Sequence, residues 1–547
     1  MSEDRGDLLW GTIPRLARSS AERFGDAVAI ADTDRGVSLT FVELLEAANT
    51  AAKAFIASGV EPDDRVAIWA PNIAEWVVIA LGLQTAGGVL VPLNTRFKGR
   101  EAGYVLERSG AKMLFCTRKF LDTDYVALLQ EAYGQEAYDQ ELEALAEIVT
   151  FNEPPSQEPT SISDLTDWHS FMARSATIPS DEVESRVASR TSDDLSDILF
   201  TSGTTGMPKG VMTTHGQSLR GYKVWSDLVG LTEGDRYLIV NPFFHGFGYK
   251  AGWLASLMSG CTVYPHAVFD VDHIMAKVAE YAISVMPGPP TLYQSILNHP
   301  RLSECDLSSL RLAVTGAAAI PVELIHRMRD ELTFQTIVTG YGLTESSAIA
   351  TMCRHDDDPE TIATTSGRAI PGVEVHIVDD TGQEVPPMTS GEIWVRGYNV
   401  MAGYFNDPEA TAETITEDGW LKTGDIGVMN EDGYVAITDR KKDMFIVGGF
   451  NAYPAEIENL ILAHKSVAQV AVVGVPDERM GEVGVAFVVP RVKSDGSVHH
   501  IVPEEFLDWC KKQMANYKVP RSVHILAELP ANASGKVLKY QLREQIA

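Results

Sequence analysis

The feature that most constrains this chain is the alternation of short apolar runs with amphipathic stretches. Val66–Trp69, Val89–Val91, Met113–Cys116, Ile198–Phe200, Tyr237–Val240, Thr262–Tyr264 and Leu312–Val314 are brief and mainly apolar. Runs of this kind suit strands buried on both faces, and stretches such as Phe41–Ser58 suit the helices that connect them. The pattern predicts α/β architecture with parallel strands. Trp76–Leu93 has no charge and invites reading as a membrane span, but Gly87-Gly88 and Pro92 interrupt it. A buried helix, a glycine turn and a strand fit it better.

Residues 130–195 are acidic and contain Pro154-Pro155, which reads as surface helix and loop. The texture changes near residue 368. Val373–Val378, Glu392–Arg396 and Tyr434–Thr438 read as strands joined by Gly and Asp turns, a β-rich subdomain over about 368–439. The charged run Thr438–Asp443 then separates a first unit, 1–439, from a second, 440–547. The second reads as α+β, with helices at Ala455–Ala463 and Glu504–Met514 and strands at Val467–Val475 and Val485–Val489. A charged boundary between two patterned units reads as a hinge.

Charge excludes some functions. The 547 residues include 45 Lys+Arg and 75 Asp+Glu, a formal net charge of −30. Nucleic-acid binding rests largely on neutralising phosphates, and this balance argues against it. It argues equally against docking on an anionic membrane. A local nest of N–H donors can still hold an anion. Cys116, Cys261, Cys305, Cys353 and Cys510 are scattered and form no C-x-x-C pair, the pattern of free thiols in a reducing cytoplasm. The first residues lack the basic start and apolar stretch of a secretion signal.

The strand signal Asp197–Phe200 runs into Thr201-Ser202-Gly203-Thr204-Thr205-Gly206-Met207-Pro208-Lys209-Gly210, and Val211–His215 reads as another strand. Such a loop can turn several backbone N–H groups toward one point, while hydroxyls and Lys209 add further donors. The result suits a polyphosphate. The spacing is not that of a P-loop.

This string resembles the signature loop of the adenylate-forming enzymes, which include acyl-CoA synthetases, firefly-type luciferases and peptide-synthetase adenylation domains. Further motifs of that family follow in order: Phe244-His245-Gly246, Tyr341–Glu345, Gly391-Glu392-Ile393, Gly419–Asp425, the Arg440 segment with Gly448-Gly449-Phe450, and Asn532–Lys536. The resemblance covers essentially the whole chain. It implies a large N-terminal domain of stacked mixed and parallel sheets with helices, and a small mobile C-terminal domain. It also implies a two-step reaction. A carboxylate attacks the α-phosphate of ATP, releasing pyrophosphate; coenzyme A then displaces AMP from the acyl-adenylate. The C-terminal domain rotates between the two steps.

By the same resemblance, Thr201, Ser202, Gly203, Thr204, Thr205, Gly206 and Lys209 hold phosphates, with Thr204 also placed among the catalytic residues. Gly316, Ala317 and Ala318 form one adenine wall; Gly340, Tyr341 and Gly342 form the other. Thr344 and Glu345 contact nucleotide and Mg2+, with Glu345 catalytic and the metal ligand. Asp425 takes both ribose hydroxyls, and Arg440 is a second ribose or phosphate contact. Lys442 is the hinge. Gly448, Gly449 and Phe450 line the coenzyme A tunnel. His245 gates the acyl pocket and the thiol channel, and Lys536 stabilises charge at the α-phosphate during adenylation.

The acyl pocket is implied around His245, Pro287–Tyr293, Thr315–Ala319 and Gly340–Thr344. Its residues are apolar or small, such as Phe247, Gly248, Met286 and Gly288. No acid stands where amino-acid-activating members bind an amine. The stretches Asn241–Gly252 and Pro287–Ser295 resemble those of ligases that activate a steroid-derived propanoate, and are close to medium-chain fatty acyl ligases. Lys250, beside this lining, reads as a solvated or backbone-bonded lysine, with contact to a polar group of a ring substrate as the alternative. The partners implied are a carboxylic acid, ATP and coenzyme A. A homodimer is compatible with the resemblance. A luciferase-like oxygenase and an inactive nucleotide-binding regulator are the competing functions.

Overall fold

The computed structural model describes residues 5–151, 165–201, 208–316, 320–440, 443, 445–447, 450–452, 454–477, 480–493, 496–514, 516–531 and 537–546. Each predicted apolar run is a strand, within three residues of its expected limits: Arg65–Trp69, Val89–Pro92, Met113–Thr117, Leu195–Thr201, Arg236–Ile239, Thr262–Pro265 and Leu312–Thr315.

Eight strands make the first sheet, in the order Gly403–Tyr404, Lys209–Thr214, Leu195–Thr201, Val89–Pro92, Arg65–Trp69, Met113–Thr117, Glu147–Phe151, Leu165–Asp167. All its pairings from Leu195–Thr201 to Leu165–Asp167 are parallel; the two on the other side are antiparallel. A second sheet orders Arg236–Ile239, Thr262–Pro265, Val28–Asp32 and Val37–Thr40. Isolated bridges through Val285 join it to Leu312–Thr315, which pairs in parallel with Thr336–Tyr341.

Helix Ala74–Ala86 lies between the two sheets, touching Val89–Pro92 of one and Val28–Asp32 of the other. Every residue in it but Glu75 is buried. That explains an apolar stretch with no polar face. Gly87 ends it at φ 93°, and the chain turns into the strand at Val89. At Gly82 a Cβ would stand 2.5 Å from the Cβ of Ala51, so glycine there permits the close approach of helix Phe41–Ala57. No helix among the described residues is long and apolar enough to cross a membrane.

The stretch 130–195 is less peripheral than its acidity suggests. It supplies the strands Glu147–Phe151 and Leu165–Asp167, and Phe171 is fully buried against Phe55 and Phe115. Beyond residue 368 the β-rich region is an antiparallel sheet of Val373–Val378, Gly391–Gly397, Leu421–Met429 and Val435–Arg440. The smaller C-terminal domain has its own core around Phe445, Ile457, Val472 and Phe506. Its sheet is built on Val467–Asp477 and Gly481–Pro490, and helices include Pro454–Leu462 and Pro503–Gln513. Among the described residues no disulfide joins the five cysteines; Cys116, Cys261, Cys353 and Cys510 are buried and Cys305 is half-buried.

Candidate functional site

The strands that flank the Gly/Ser/Thr string pair antiparallel, as the two arms of a hairpin. Thr201 and Lys209 are cross-strand partners, ending Leu195–Thr201 and opening Lys209–Thr214. A strand therefore follows the loop, unlike a P-loop. Ser202, Gly203, Thr204, Thr205 and Gly206, expected to hold phosphates, lie outside the described residues. So do Ala317, Ala318, Lys442, Gly448, Gly449 and Lys536, and the side chains of Arg440 and Phe450.

Lys209 faces a residue that no motif flagged. Its Nζ lies 5.0 Å from the ring centre of Tyr404, close enough for a cation–π contact. The Tyr404 hydroxyl donates to Glu345 Oε1 at 2.9 Å. One phenol thus links the cation at the hairpin mouth to the carboxylate expected to meet the metal. Burial and the Glu345 charge both push the Tyr404 hydroxyl up, so it remains a donor. Tyr404 lies in the edge strand Gly403–Tyr404, paired to Lys209–Thr214, which explains its place.

Glu345 sits in the short helical turn Thr344–Ser346. Ser347 and Ala348 follow at φ 54° and 64°, a left-handed pair unusual for residues with side chains. The turn is fastened from several directions. Tyr222 Oη donates to the Ser347 carbonyl at 2.8 Å, Asn399 Nδ2 to the Ile349 carbonyl at 2.6 Å, and the Met401 N–H to the Glu345 carbonyl at 2.8 Å. At Gly342 a Cβ would meet the Ala348 carbonyl carbon at 2.4 Å, so glycine is required there. Strained backbone held by its surroundings is a common mark of a functional site.

The expected ribose and adenine residues meet. Tyr341 Oη donates to Asp425 Oδ2 at 2.6 Å, with both residues buried. Asp425 is set by its own loop, its N–H donating to Thr423 Oγ1 at 3.1 Å, and it faces Arg440 across the ladder. Gly316 follows the strand Leu312–Thr315 and Gly340 lies near the end of its neighbour Thr336–Tyr341, and a Cβ on Gly316 would lie 3.3 Å from the Gly340 carbonyl oxygen. Of the two expected adenine walls, the described residues Gly316 and Gly340 are therefore side by side.

His245 opens the turn before Phe247–Leu254, a stretch of π-helix. His245 is exposed, and desolvation by the protein around it lowers its imidazole pKa. Nδ1 accepts from the Phe247 N–H at 3.1 Å. The implied acyl lining is only partly open. Met286 and Tyr293 are fully buried, Tyr293 Oη donating to the Met286 carbonyl, and Gly248 is packed against the Pro242 carbonyl. Phe247 keeps some open surface. Contrary to expectation, Lys250 is not solvated, and among the described residues its side chain meets a carboxylate and no backbone group. It is 2% exposed and its Nζ lies 3.0 Å from Asp197 Oδ1. Burial lowers its pKa, and Asp197 opposes that shift.

A separate group of metal-ligand side chains, Asp34, His266 and His273, lies near the second sheet. The Lys277 ammonium already sits 2.7 Å from Asp34 Oδ2, so that carboxylate is charge-compensated without an ion.

Comparison with known proteins agrees with this geometry. The family model described as AMP-binding enzyme matches residues 17–405, and its C-terminal domain model matches 456–536. The chain is 47% identical to the "3-[(3aS,4S,7aS)-7a-methyl-1,5-dioxo-octahydro-1H-inden-4-yl]propanoyl:CoA ligase" of Rhodococcus jostii (strain RHA1), over 98% of each. It is 32% identical to a mitochondrial medium-chain acyl-CoA ligase of Macaca fascicularis, over 99% of this chain and 88% of the relative. Among solved structures, ATP-bound MatB from Rhodopseudomonas palustris superimposes with a TM-score of 0.82 at 29% identity, covering 98% of this chain and 99% of that one. A signature hairpin, a tyrosine-tied carboxylate at its mouth and a match along nearly the whole length leave one conclusion: the chain belongs to the family of AMP-binding enzymes.

Proposed function

We propose that the chain is an ATP-dependent, AMP-forming acyl-CoA ligase whose acid is a propanoate carried on a bulky, largely apolar ring system. The observation that carries the ligase reading is the Lys209–Tyr404–Glu345 arrangement at the mouth of the hairpin. It ties a cation and a carboxylate to the two ends of one phenol, where polyphosphate and its counter-ion would enter. Among the described residues Glu345 forms no ion pair, so this oxygen ligand fits a hard cation that keeps most of its waters. When bound, Mg2+ would neutralise charge on the phosphates. The protein's own part is to hold the nucleotide. Asp425 and Tyr341 take ribose and base, and the hairpin amides take phosphate. The acid's oxygen then forms its bond to the α-phosphorus as the bond to pyrophosphate breaks. In the second step the sulfur of coenzyme A bonds to the acyl carbon and AMP leaves.

The substrate class is supported by the 47% identical relative, whose named substrate is a bicyclic propanoate. A medium-chain fatty acid is the second reading, supported by the mitochondrial relative. An oxygenase or an inactive regulator has no comparable support. We also place the hinge at 440–442, with the C-terminal domain mobile about it. Five scattered cysteines without a disulfide among the described residues support action in a reducing compartment such as the cytoplasm. A homodimer is a further reading, decided by light scattering.

The test is a panel of acids supplied with MgATP and coenzyme A, with thioesters detected by mass. A bicyclic propanoate should give the highest kcat/KM, octanoate a lower one and acetate the lowest. Acetate in first place would overturn the substrate class. Pyrophosphate release without thioester would overturn the ligase reading.

A further inference from the structure

Lys250 and Asp197 join two parts of the site that are distant in sequence. Asp197 lies four residues before Thr201, on the strand that runs into the phosphate hairpin. Lys250 lies five residues after His245, in the π-helical turn behind the acyl gate. Asp197 is 0% and Lys250 2% exposed, and their charges stand 3.0 Å apart. The pair does not stand alone. Ser196 Oγ donates to Asp197 Oδ2 at 2.7 Å. Gln84, on the helix between the sheets, donates through Nε2 to the Ser196 carbonyl at 3.1 Å and to Tyr249 Oη at 2.9 Å. One buried amide therefore grips the neighbour of each charged partner.

A buried ion pair is weak evidence for stability, because desolvating two charges offsets most of their attraction. It does restrict geometry. Apolar side chains can slide past one another at small cost, whereas two charges in a low-dielectric interior are held at contact. A π-turn, rare in helices, often marks a functional position. Here it carries the lysine inward beside the hairpin strand.

We infer that Lys250 and Asp197 are positioning residues that set the phosphate hairpin and the His245 turn in one register, so that the acid's carboxylate meets the α-phosphate in line. The inference rests on the ligase reading above. Neither residue is placed against substrate. Bond formation to the α-phosphorus and rupture of the bond to pyrophosphate need an in-line approach, and a misplacement of about 1 Å costs on the order of 10²-fold. Thioester formation from an existing adenylate does not use the hairpin's hold on the leaving phosphates. The pair should therefore matter for the first half-reaction and much less for the second.

The experiment compares the full chain with Lys250→Met, Asp197→Asn and the double variant. Single-turnover pyrophosphate release reports adenylation, and synthetic acyl-adenylate with coenzyme A reports thioester formation. Each single variant should slow adenylation by about 30- to 100-fold, with KM for ATP and the thioester step within about threefold of wild type. The double variant leaves no unpaired buried charge and should recover at least about tenfold over the slower single one. Should the single variants not fold, Lys250→Arg keeps the charge with a different reach; it should slow adenylation and spare the thioester step. Parallel loss of both half-reactions, or unchanged adenylation in the single variants, would overturn the inference alone. Wild type that releases no pyrophosphate with any acid would overturn the ligase reading, and this inference with it.

Discussion

Asp425 shows how much one carboxylate can be asked to do. Its two oxygens can accept about four hydrogen bonds, and Tyr341 takes one of those places. In the proposed reading, both ribose hydroxyls donate to this carboxylate. Asp425→Ala should raise KM for ATP by roughly 10²-fold, taking about 1.5–3 kcal/mol for a hydrogen bond to a charged group. KM for the acid should move by less than about threefold. Tyr341→Phe keeps the carboxylate and loses only its strap, so its effect on KM for ATP should be smaller. Initial rates across ATP concentrations check both; an unchanged KM in Asp425→Ala would remove the assigned role. Single residues were unevenly legible in the sequence. Asp425 stands in a recognisable motif, so its proposed role toward the nucleotide could be expected from the string Thr423-Gly424-Asp425. Tyr404 stands in none, and its link between Lys209 and Glu345 depends on an edge pairing made by folding. Lys250 was misread because exposure is the usual fate of lysine, and nothing in sequence pairs it with an aspartate 53 residues earlier.

Among elements, the strands were the most legible, because burial on both faces leaves an unbroken apolar run. Glu147–Phe151 and Leu165–Asp167 escaped notice at the sheet edge, where acidic flanks and Pro154-Pro155 mask the short runs. Helix Ala74–Ala86 carries a testable pH dependence. Asp32 Oδ2 accepts from the Ala74 N–H at 3.1 Å, at the start of that helix. Burial raises this carboxyl from 3.8 to about 6, more than the Ala74 amide and Arg35 lower it. Folding thus favours the protonated form. Its contribution is full below the unfolded value and is lost as pH rises through about 6. Lowering pH from 7 to 5 should favour wild type over Asp32→Asn by about 1 kcal/mol, from about 1.4 kcal/mol per unit of pKa difference. Denaturant unfolding of both proteins at the two pH values measures this. A gap that stays constant, or grows in the opposite sense, contradicts the assignment.

For the whole molecule, two chemistries are proposed to share one site through rotation of the C-terminal domain, and variants in that domain can separate them. Lys536→Ala should slow adenylation by about 10²–10³-fold, the scale for one electrostatic stabiliser, and spare thioester formation from synthetic adenylate. Gly449→Leu should do the reverse by filling the path of the pantetheine arm. Equal damage to both steps in both variants would count against rotation. A shared site also raises a question of selectivity. An acyl-adenylate reacts with thiolates, and this chain carries five thiols of its own. Burial pushes the Cys353 thiol up to about 12 and Cys510 to about 11, and raises Cys261 further still. At neutral pH these three are almost wholly protonated and poor nucleophiles. The same packing that builds the core therefore keeps these three thiols from competing with the incoming coenzyme for the activated acid.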